Sequence, residues 1–179
     1  MITDKDFLDR GSQMTKLHAD QTWRSVKPKE ILSSSIHALT SLDAVHQIIT
    51  DSPIRQIRVY DQENRTTLEY SCVWFFDTKN LPENVVVVHE KIINGASIGQ
   101  AFNDAGIWFG RYEYSIETIK IPFVLKFEYP TQNELRQIRL VACVGIDKIP
   151  YAFIEEYYPT REKIGMKSKI LKEMNPNAN

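Results

Sequence analysis

The chain has 179 residues, of which 42% are hydrophobic and 25% are charged, and its formal net charge at pH 7 is −1. This length and composition predict one domain, 1–179, with a substantial core. The near-zero net charge gives no electrostatic footprint for nucleic acid or an anionic membrane, so we expect neither partner. No run approaches the ~20 apolar residues that span a bilayer, and the charged start of the chain lacks an apolar signal segment. The sequence therefore predicts a cytoplasmic protein.

Cysteine and histidine are too sparse to predict a metal site or a disulfide framework. Cys72 and Cys143 lie in apolar, strand-like runs without CxxC spacing, which predicts buried and unreactive thiols. The four histidines show neither HxH nor HExxH spacing. We therefore expect no metal and no cofactor.

The N-terminal part, residues 1–50, is predicted to be helical. Capping-box-like starts occur at Thr3 and at Thr40, the second of which precedes SLDAVHQII. Pro28 suits the first turn of a helix between them, and Pro53 ends this part of the chain.

Residues 54–159 are predicted to form the core of the domain, an antiparallel sheet. Seven runs in this range are rich in β-branched and aromatic residues and are bounded by Asn, Asp, Gly or Pro, which indicates antiparallel strands. A helix is inserted at residues 97–105, before Gly106. The fold class is therefore α+β, an antiparallel β-sheet with N-terminal helices and one inserted helix. The basic C-terminal segment, 160–179, is expected to fray at its end. The predicted strands are IRQIRVYDQ, TTLEYSCVWFF, NVVVVHEKII, RYEYSIETIKI, FVLKFEYP, LRQIRLVACVG and PYAFIEEYY.

Glu155 is the strongest candidate for a functional residue. In the closing strand YAFIEEYYP, alternation places it on one face with Tyr151, Phe153 and Tyr157, whereas Glu156 faces the other way. A carboxylate in aromatic surroundings is costly to keep charged, so it is partnered by a cation, protonated or used in chemistry. We therefore predict that Glu155 lines an enclosed, apolar pocket. The alternative is a structural carboxylate held by a buried arginine or by backbone N–H groups.

Glu90 follows the same pattern. If NVVVVHEKII is a strand, Glu90 shares its face with Val86, Val88 and Ile92, which makes it a weaker candidate for ligand binding. His89 lies on the opposite face, which is more typical of a solvated surface.

The turn of the closing hairpin determines the predicted partners of the two glutamates. With residues 147–148 at its centre, Arg139 lies opposite Glu156 and Leu140 lies opposite Glu155. Glu156 then forms an ordinary cross-strand ion pair with Arg139. A turn of different length changes these partners without changing the face of Glu155.

Arg111 is a candidate for binding an anion, because it directly follows the inserted helix on the strand RYEYSIE. Its side chain shares a face with Glu113. A surface ion pair between the two, worth little energetically, is the alternative.

The order of these segments resembles the chorismate lyase-like family, which includes chorismate pyruvate-lyases and the effector-binding domains of GntR-type regulators. NVVVVHEKIIN, SIGQAFNDAG and WFGRYEYSIE are similar to the family order of a strand, a helix led by Leu-Gly and an arginine-bearing strand. IRLVACVGIDKIPYAFIEEYYP resembles the family's closing hairpin, which ends in Glu-x-x-x-Pro. The resemblance spans Thr40 to Pro159.

The resemblance implies a small-molecule enzyme that acts on a cyclic or aromatic carboxylate in a closed pocket without metal. The family's closing glutamate falls on Glu155 as the catalytic residue, and the arginine after its inserted helix falls on Arg111. The resemblance therefore implies that Arg111 reaches the same cavity as Glu155 and binds a substrate carboxylate there. The helix entrance at Ile98 and Gly99 is expected to offer backbone N–H groups to the substrate. Tyr157, which lies two residues after Glu155, is also expected to contact the substrate.

One departure concerns an arginine. The lyases carry Arg-Glu at the start of a central strand, where this chain has Leu68 followed by a glutamate. Either Arg58, Arg65 or Arg139 replaces that arginine, or the chain does not handle chorismate.

Two other functions remain open. The same pocket fits a non-catalytic effector-binding domain, although the N-terminal helices lack a basic recognition helix. A hot-dog-type thioesterase or dehydratase is suggested by His89-Glu90 before a helix, although that helix is short for the central helix of such a fold. The sequence predicts no oligomeric state.

Overall fold

The computed structural model describes residues 44–50, 54–76 and 78–160. These residues form six strands and two α-helices, with short 3-10 turns between them. The predicted N-terminal helices before residue 44 and the C-terminal segment after residue 160 lie outside the described residues. The elements are β1 (Ala44–Thr50), β2 (Arg55–Asp61), β3 (Thr67–Phe75), α1 (Glu83–Ile93), α2 (Ile98–Asp104), β4 (Phe109–Lys120), β5 (Glu134–Val144) and β6 (Ile149–Pro159).

The six described strands form one sheet in the order β1-β2-β3-β6-β5-β4. Every neighbouring pair is antiparallel. The closing strand β6 therefore lies in the middle of the sheet, between β3 and β5. The predicted α+β class with an antiparallel sheet is confirmed, and so is the inserted helix α2. None of the helices in the described part of the chain is long and apolar enough to cross a membrane.

The prediction of a strand at NVVVVHEKII was wrong, because this run forms α1. Val85, Val88 and Ile92 are buried at the 3- and 4-residue spacing of a helix. Pro82 precedes the first turn, and Glu83 in that turn complements the helix dipole. The β-branched residues favour a strand locally, but burial of one helical stripe against the sheet outweighs that preference.

The helix predicted for SLDAVHQII was also wrong, because residues 44–50 form the edge strand β1. It pairs with β2 from Ala44 opposite Asp61 to Thr50 opposite Gln56. The ladder supplies hydrogen bonds to a segment that contains Val45, Ile48 and Ile49, which are β-branched.

The predicted strand FVLKFEYP is instead part of a connection, residues 121–133, which we call the strap. Pro122 precedes a 3-10 turn at Phe123–Leu125. The Tyr129 N–H donates to Leu125 O at 3.0 Å, and Ile121 N donates to Asn133 O at 3.0 Å, which closes the strap on itself. A proline before the turn and local hydrogen bonds explain why this run forms no sheet ladder.

Each face of the sheet carries a separate hydrophobic core. On the helix face, α1 and α2 cover side chains of the four strands β3 to β6, including Val73, Leu140 and Ile154. On the strap face, Leu125 and Tyr129 of the strap pack against an aromatic-rich cluster from the same strands. That cluster contains Tyr70, Cys72, Trp74, Tyr112, Val141, Cys143, Phe153 and Tyr157.

A bulge in β6 breaks its alternation at Tyr151. Ala142 pairs with Ala152, but the next β5 residue, Cys143, pairs with Pro150. Tyr151 is thus the extra residue of the bulge, and it joins the helix-face core next to Ala152. The prediction that Tyr151 shares a face with Glu155 was therefore wrong.

Candidate functional site

Two adjacent carboxylates, Glu155 and Glu156, are buried on opposite faces of β6. The register explains their positions, since Glu155 lies between Arg139 of β5 and Cys72 of β3. The hairpin prediction placed Leu140 opposite Glu155 and was wrong by one position. The turn after Val144 has four residues, which shifts the predicted pairing by two positions, and the bulge at Tyr151 shifts it back by one.

On the strap face, Glu155 is bound by a guanidinium and a phenol. Arg139 Nε donates to Glu155 Oε1 at 3.2 Å, and the Tyr157 hydroxyl donates to Glu155 Oε2 at 2.7 Å. Gln137 Nε2 in turn donates to the Tyr157 hydroxyl at 3.2 Å. The Glu155 side chain is 4% exposed, whereas that of Arg139 is 29% exposed. The carboxylate is therefore desolvated, and its arginine partner reaches toward solvent.

The surroundings of Glu155 are aromatic. Phe153 and Tyr157 flank it along β6, and Trp74 packs against Phe153 with ring centroids 5.8 Å apart. The Trp74 indole Nε1 is buried and has no hydrogen-bond partner among the described residues. A buried donor without a partner is costly, and a ligand acceptor is one way to satisfy it. The strap face thus combines apolar rings, a cation, a carboxylate and an indole donor.

The strap is tied to the same network. Tyr129 of the strap donates its hydroxyl to Tyr157 O at 2.6 Å. Glu128 accepts from Thr67 Oγ1 at 2.9 Å and pairs with Arg58 at 3.0 Å. The strap therefore fixes the backbone of the residue whose phenol holds Glu155.

The helix face carries a second polar cluster. Arg111 Nη2 donates to Glu156 Oε1, and the Tyr158 hydroxyl donates to Glu156 Oε2 at 2.7 Å. Ser71, which lies opposite Glu156, donates its hydroxyl to Glu69. The side chains of Arg111 and Glu156 are only 9% and 7% exposed, so this is a buried ion pair.

Arg111 and Glu155 do not meet, so the prediction that they line one cavity was wrong. Arg111 pairs along the backbone with Ala142, which belongs to the helix-face core. Its side chain consequently extends over the helix face, away from Glu155. The alternative of an exposed ion pair fails too, because Arg111 is buried against Glu156; the side chain of Glu113 lies outside the described part of the molecule.

The other predicted ligand contacts lie on the helix side. Ile98 is buried in the helix-face core, and a Cβ added at Gly99 would lie 4.0 Å from the Phe109 ring. The start of α2 is therefore near Phe109, on the face that carries Arg111. Glu90 is exposed on α1 and shares no apolar strand face, because the residues around it are helical.

Three residues of the predicted set do come together. Arg139 and Tyr157 both bind the Glu155 carboxylate, as the distances above show. The predicted grouping of Glu155 with Tyr157 is therefore correct, and Arg139 joins it from the neighbouring strand.

Sequence reasoning missed a third polar group, at the contact between α1 and the sheet. His89 Nδ1 lies 2.7 Å from the Tyr151 hydroxyl, and its ring meets Phe75 edge-on at 4.9 Å. The buried Arg55 donates to Ile92 O at the end of α1 and to Ala96 O at 2.9 Å. Burial, reinforced by Arg55, lowers the pKa of His89 below its ordinary value.

A helical interpretation of α1 would have identified His89, because it lies four residues after Val85 on the buried side. Burial also raises the pKa of the Tyr151 hydroxyl above its ordinary value. No pattern in the sequence indicates the role of Arg55.

Cys72 and Cys143 are buried thiols, as predicted. Among residues 44–50, 54–76 and 78–160, no three His, Cys, Asp or Glu side chains are grouped to hold a metal ion.

No protein-family model matches this chain, and a search of curated proteins found no match.

Proposed function

We propose that the protein is a small-molecule enzyme that resembles the chorismate pyruvate-lyases and acts on a cyclic or aromatic carboxylate at the strap face. One observation carries the proposal: the Glu155 carboxylate is desolvated among aromatic rings and held by Arg139 and Tyr157. A desolvated carboxylate next to a cation is typical of the groups that carry protons in catalysis.

Arg139 takes the role of the cation that binds the substrate carboxylate. Its Nε is used by Glu155, and its outer edge, where Nη1 lies 3.6 Å from the half-exposed Glu117, is the side that faces an incoming anion. Three arginines are candidates to replace the family arginine that is missing at Leu68. Arg139 is the one of them that contacts Glu155. Arg58 instead pairs with Glu128, and Arg65 donates to the Tyr60 hydroxyl.

The aromatic cluster provides the rest of the recognition. Phe153, Tyr157 and Trp74 form the buried aromatic part of the core beside Glu155, which suits a planar or cyclic ligand, and the Trp74 Nε1 donor suits an oxygen of that ligand. In an elimination of pyruvate from an enolpyruvyl ether, Glu155 accepts the proton that leaves the ring carbon. The C–O bond breaks as the ring forms its new double bond, and the enolpyruvate takes a proton to become pyruvate. Positioning, a proton carrier and a cation at the carboxylate supply this chemistry.

The experiment is incubation of the purified protein with chorismate, followed by detection of 4-hydroxybenzoate and pyruvate in equal amounts. Glu155→Gln, which keeps the size of the side chain and removes its proton-transfer ability, is the matched variant. Formation of both products by the wild type but not by Glu155→Gln supports the proposal. Absence of product from the wild type refutes the lyase activity.

A non-catalytic ligand-binding domain is the second candidate. It is favoured by the hydrogen bonding of Glu155, since a carboxylate that accepts from Arg139 and Tyr157 is well placed to hold its neighbours rather than to exchange protons. Calorimetric binding of an aromatic carboxylate without turnover of chorismate distinguishes this function from the enzyme.

A further inference from the structure

Arg139 is shared by two carboxylates of different burial. Its Nε bonds to Glu155 on the inner side, while its Nη1 lies 3.6 Å from Glu117 Oε1 on the outer side. Glu117 belongs to β4, and its side chain is 51% exposed. It lies opposite Gln137, so it stands on the strap face at the rim of the Glu155 network.

The two contacts differ in strength. At 3.6 Å the contact between Arg139 and Glu117 is longer than a hydrogen bond, and one partner is half in water, so it is easily exchanged. Glu155 is buried and receives a second bond from Tyr157, so its contact is retained. The outer edge of Arg139 is therefore the exchangeable position.

Charge balance favours that exchange when an anion binds to Arg139. Two carboxylates already share the one guanidinium, so a third carboxylate at Arg139 adds repulsion from Glu117. Replacement of Glu117 by a ligand carboxylate leaves the charge around Arg139 unchanged.

We propose that Glu117 is a resident counter-ion, which occupies the place of the substrate carboxylate on Arg139 and is displaced when substrate binds. This inference rests on the proposed function, because it assumes that Arg139 receives a ligand carboxylate. Glu117 and the ligand carboxylate compete for Arg139, and this competition lowers the affinity of the site for any ligand carboxylate. A neutral ligand of the same shape does not enter that competition.

The test compares a charged probe with its neutral isostere by isothermal titration calorimetry at neutral pH and physiological ionic strength. Benzoate is the charged probe, and benzamide is the neutral one. The variant is Glu117→Gln, whose exposed side chain makes a folding defect unexpected; melting temperatures verify this. The control is Glu134→Gln, which removes the same charge from an exposed position opposite Lys120 on the same strand pair.

We expect Glu117→Gln to bind benzoate about two- to fivefold more tightly than the wild type, the range given by loss of an exposed ion pair. Benzamide affinity should stay the same, and Glu134→Gln should bind both probes like the wild type. Equal or weaker benzoate binding by Glu117→Gln overturns the inference while leaving the proposed function intact. If neither the wild type nor Glu117→Gln binds benzoate, both the inference and the proposed function are overturned.

Discussion

Glu155 and Glu156 are neighbours in β6, yet each is bound to a different arginine on a different face of the sheet. Glu155 meets Arg139 on the strap face, and Glu156 meets Arg111 on the helix face. The two carboxylates are comparable in burial and in having a tyrosine hydroxyl as second partner. They differ in their arginines, since the side chain of Arg139 is 29% exposed and that of Arg111 is 9% exposed. Under the proposed function, the partly exposed Arg139 makes the Glu155 pair the one that exchanges ligands, and we expect the Glu156 pair to stabilise the fold.

This difference predicts opposite outcomes for two matched variants. Glu155→Gln should lower turnover by about 10²- to 10⁴-fold, the contribution of a positioned acid–base group. Glu156→Gln should keep turnover within a few-fold of the wild type and lower the melting temperature instead, because Arg111 loses its counter-ion in a buried position.

Single-turnover assays at a temperature where both variants are folded separate the two effects. Loss of turnover in Glu156→Gln with full activity in Glu155→Gln would move the active site to the helix face.

A second prediction concerns Arg139 and ligand affinity. Arg139→Gln should weaken binding of an aromatic carboxylate about ten- to a hundredfold, because it removes a charge-assisted hydrogen bond. Arg111→Gln should leave the affinity unchanged, since its side chain lies on the other face. Calorimetric titration of both variants with benzoate checks this. An affinity loss confined to Arg111→Gln would contradict the assignment of the site.

The face of Glu155 was predictable, whereas its partner was not. Period-two alternation from Phe153 to Tyr157 correctly placed Glu155 on an aromatic face and Glu156 on the other. No local sequence feature indicates the bulge at Tyr151. The bulge shifts the register so that Arg139 lies opposite Glu155. Cross-strand partners depend on turn length and bulges, which are non-local properties, so sequence patterns predict them poorly.

The predicted secondary structure was wrong in opposite directions at α1 and at β1. In α1, a run of four valines favours a strand locally, but burial of Val85, Val88 and Ile92 together requires a helix. In β1 the error was the reverse, because Thr40 suggested a helix start for a segment that pairs with β2. Both outcomes follow from packing against the sheet, which single-residue propensities do not describe.

A third prediction treats Arg111 and Glu156 as a structural pair. Arg111→Met should cost about 3–5 kcal/mol of unfolding free energy, because it leaves the Glu156 carboxylate buried without a cation. The double variant Arg111→Met/Glu156→Leu should recover most of that loss, since it removes both charges.

Urea denaturation of the two single variants and the double variant completes a double-mutant cycle. Additive losses in the double variant would show that the two side chains act independently.

A fourth prediction concerns Arg55 as the cap of α1. Arg55→Met should lower the unfolding free energy by roughly 3 kcal/mol, because the buried Ile92 carbonyl and the partly buried Ala96 carbonyl both lose a charged donor. Arg58→Met is the control: its bonds to Glu128 and Thr67 are only partly buried and its bond to the Arg65 carbonyl is exposed, so its loss should be smaller, about 1 kcal/mol. Similar losses in the two variants, measured by urea denaturation, would contradict a special role for Arg55.

The last prediction uses the lowered pKa of His89. Above the ordinary histidine pKa of about 6.5, the imidazole is neutral in the folded and unfolded states alike, so it adds no pH dependence. As the pH falls below that value, the unfolded state takes up the proton first, because burial and Arg55 disfavour imidazolium in the folded state. Stability should therefore decrease as the pH falls from about 6.5 through the folded-state pKa.

His89→Gln keeps a hydrogen-bonding group near the Tyr151 hydroxyl and removes the titration, so its melting temperature should fall less than that of the wild type between about pH 7.5 and about pH 5.5. Tyr151→Phe keeps the imidazole and removes its phenol partner, so it should retain the pH dependence while being less stable at both pH values. Thermal unfolding of the three proteins at the two pH values measures these differences. An identical fall for the wild type and His89→Gln would show that the coupling of His89 to stability is absent, because every other titrating group is common to the two proteins.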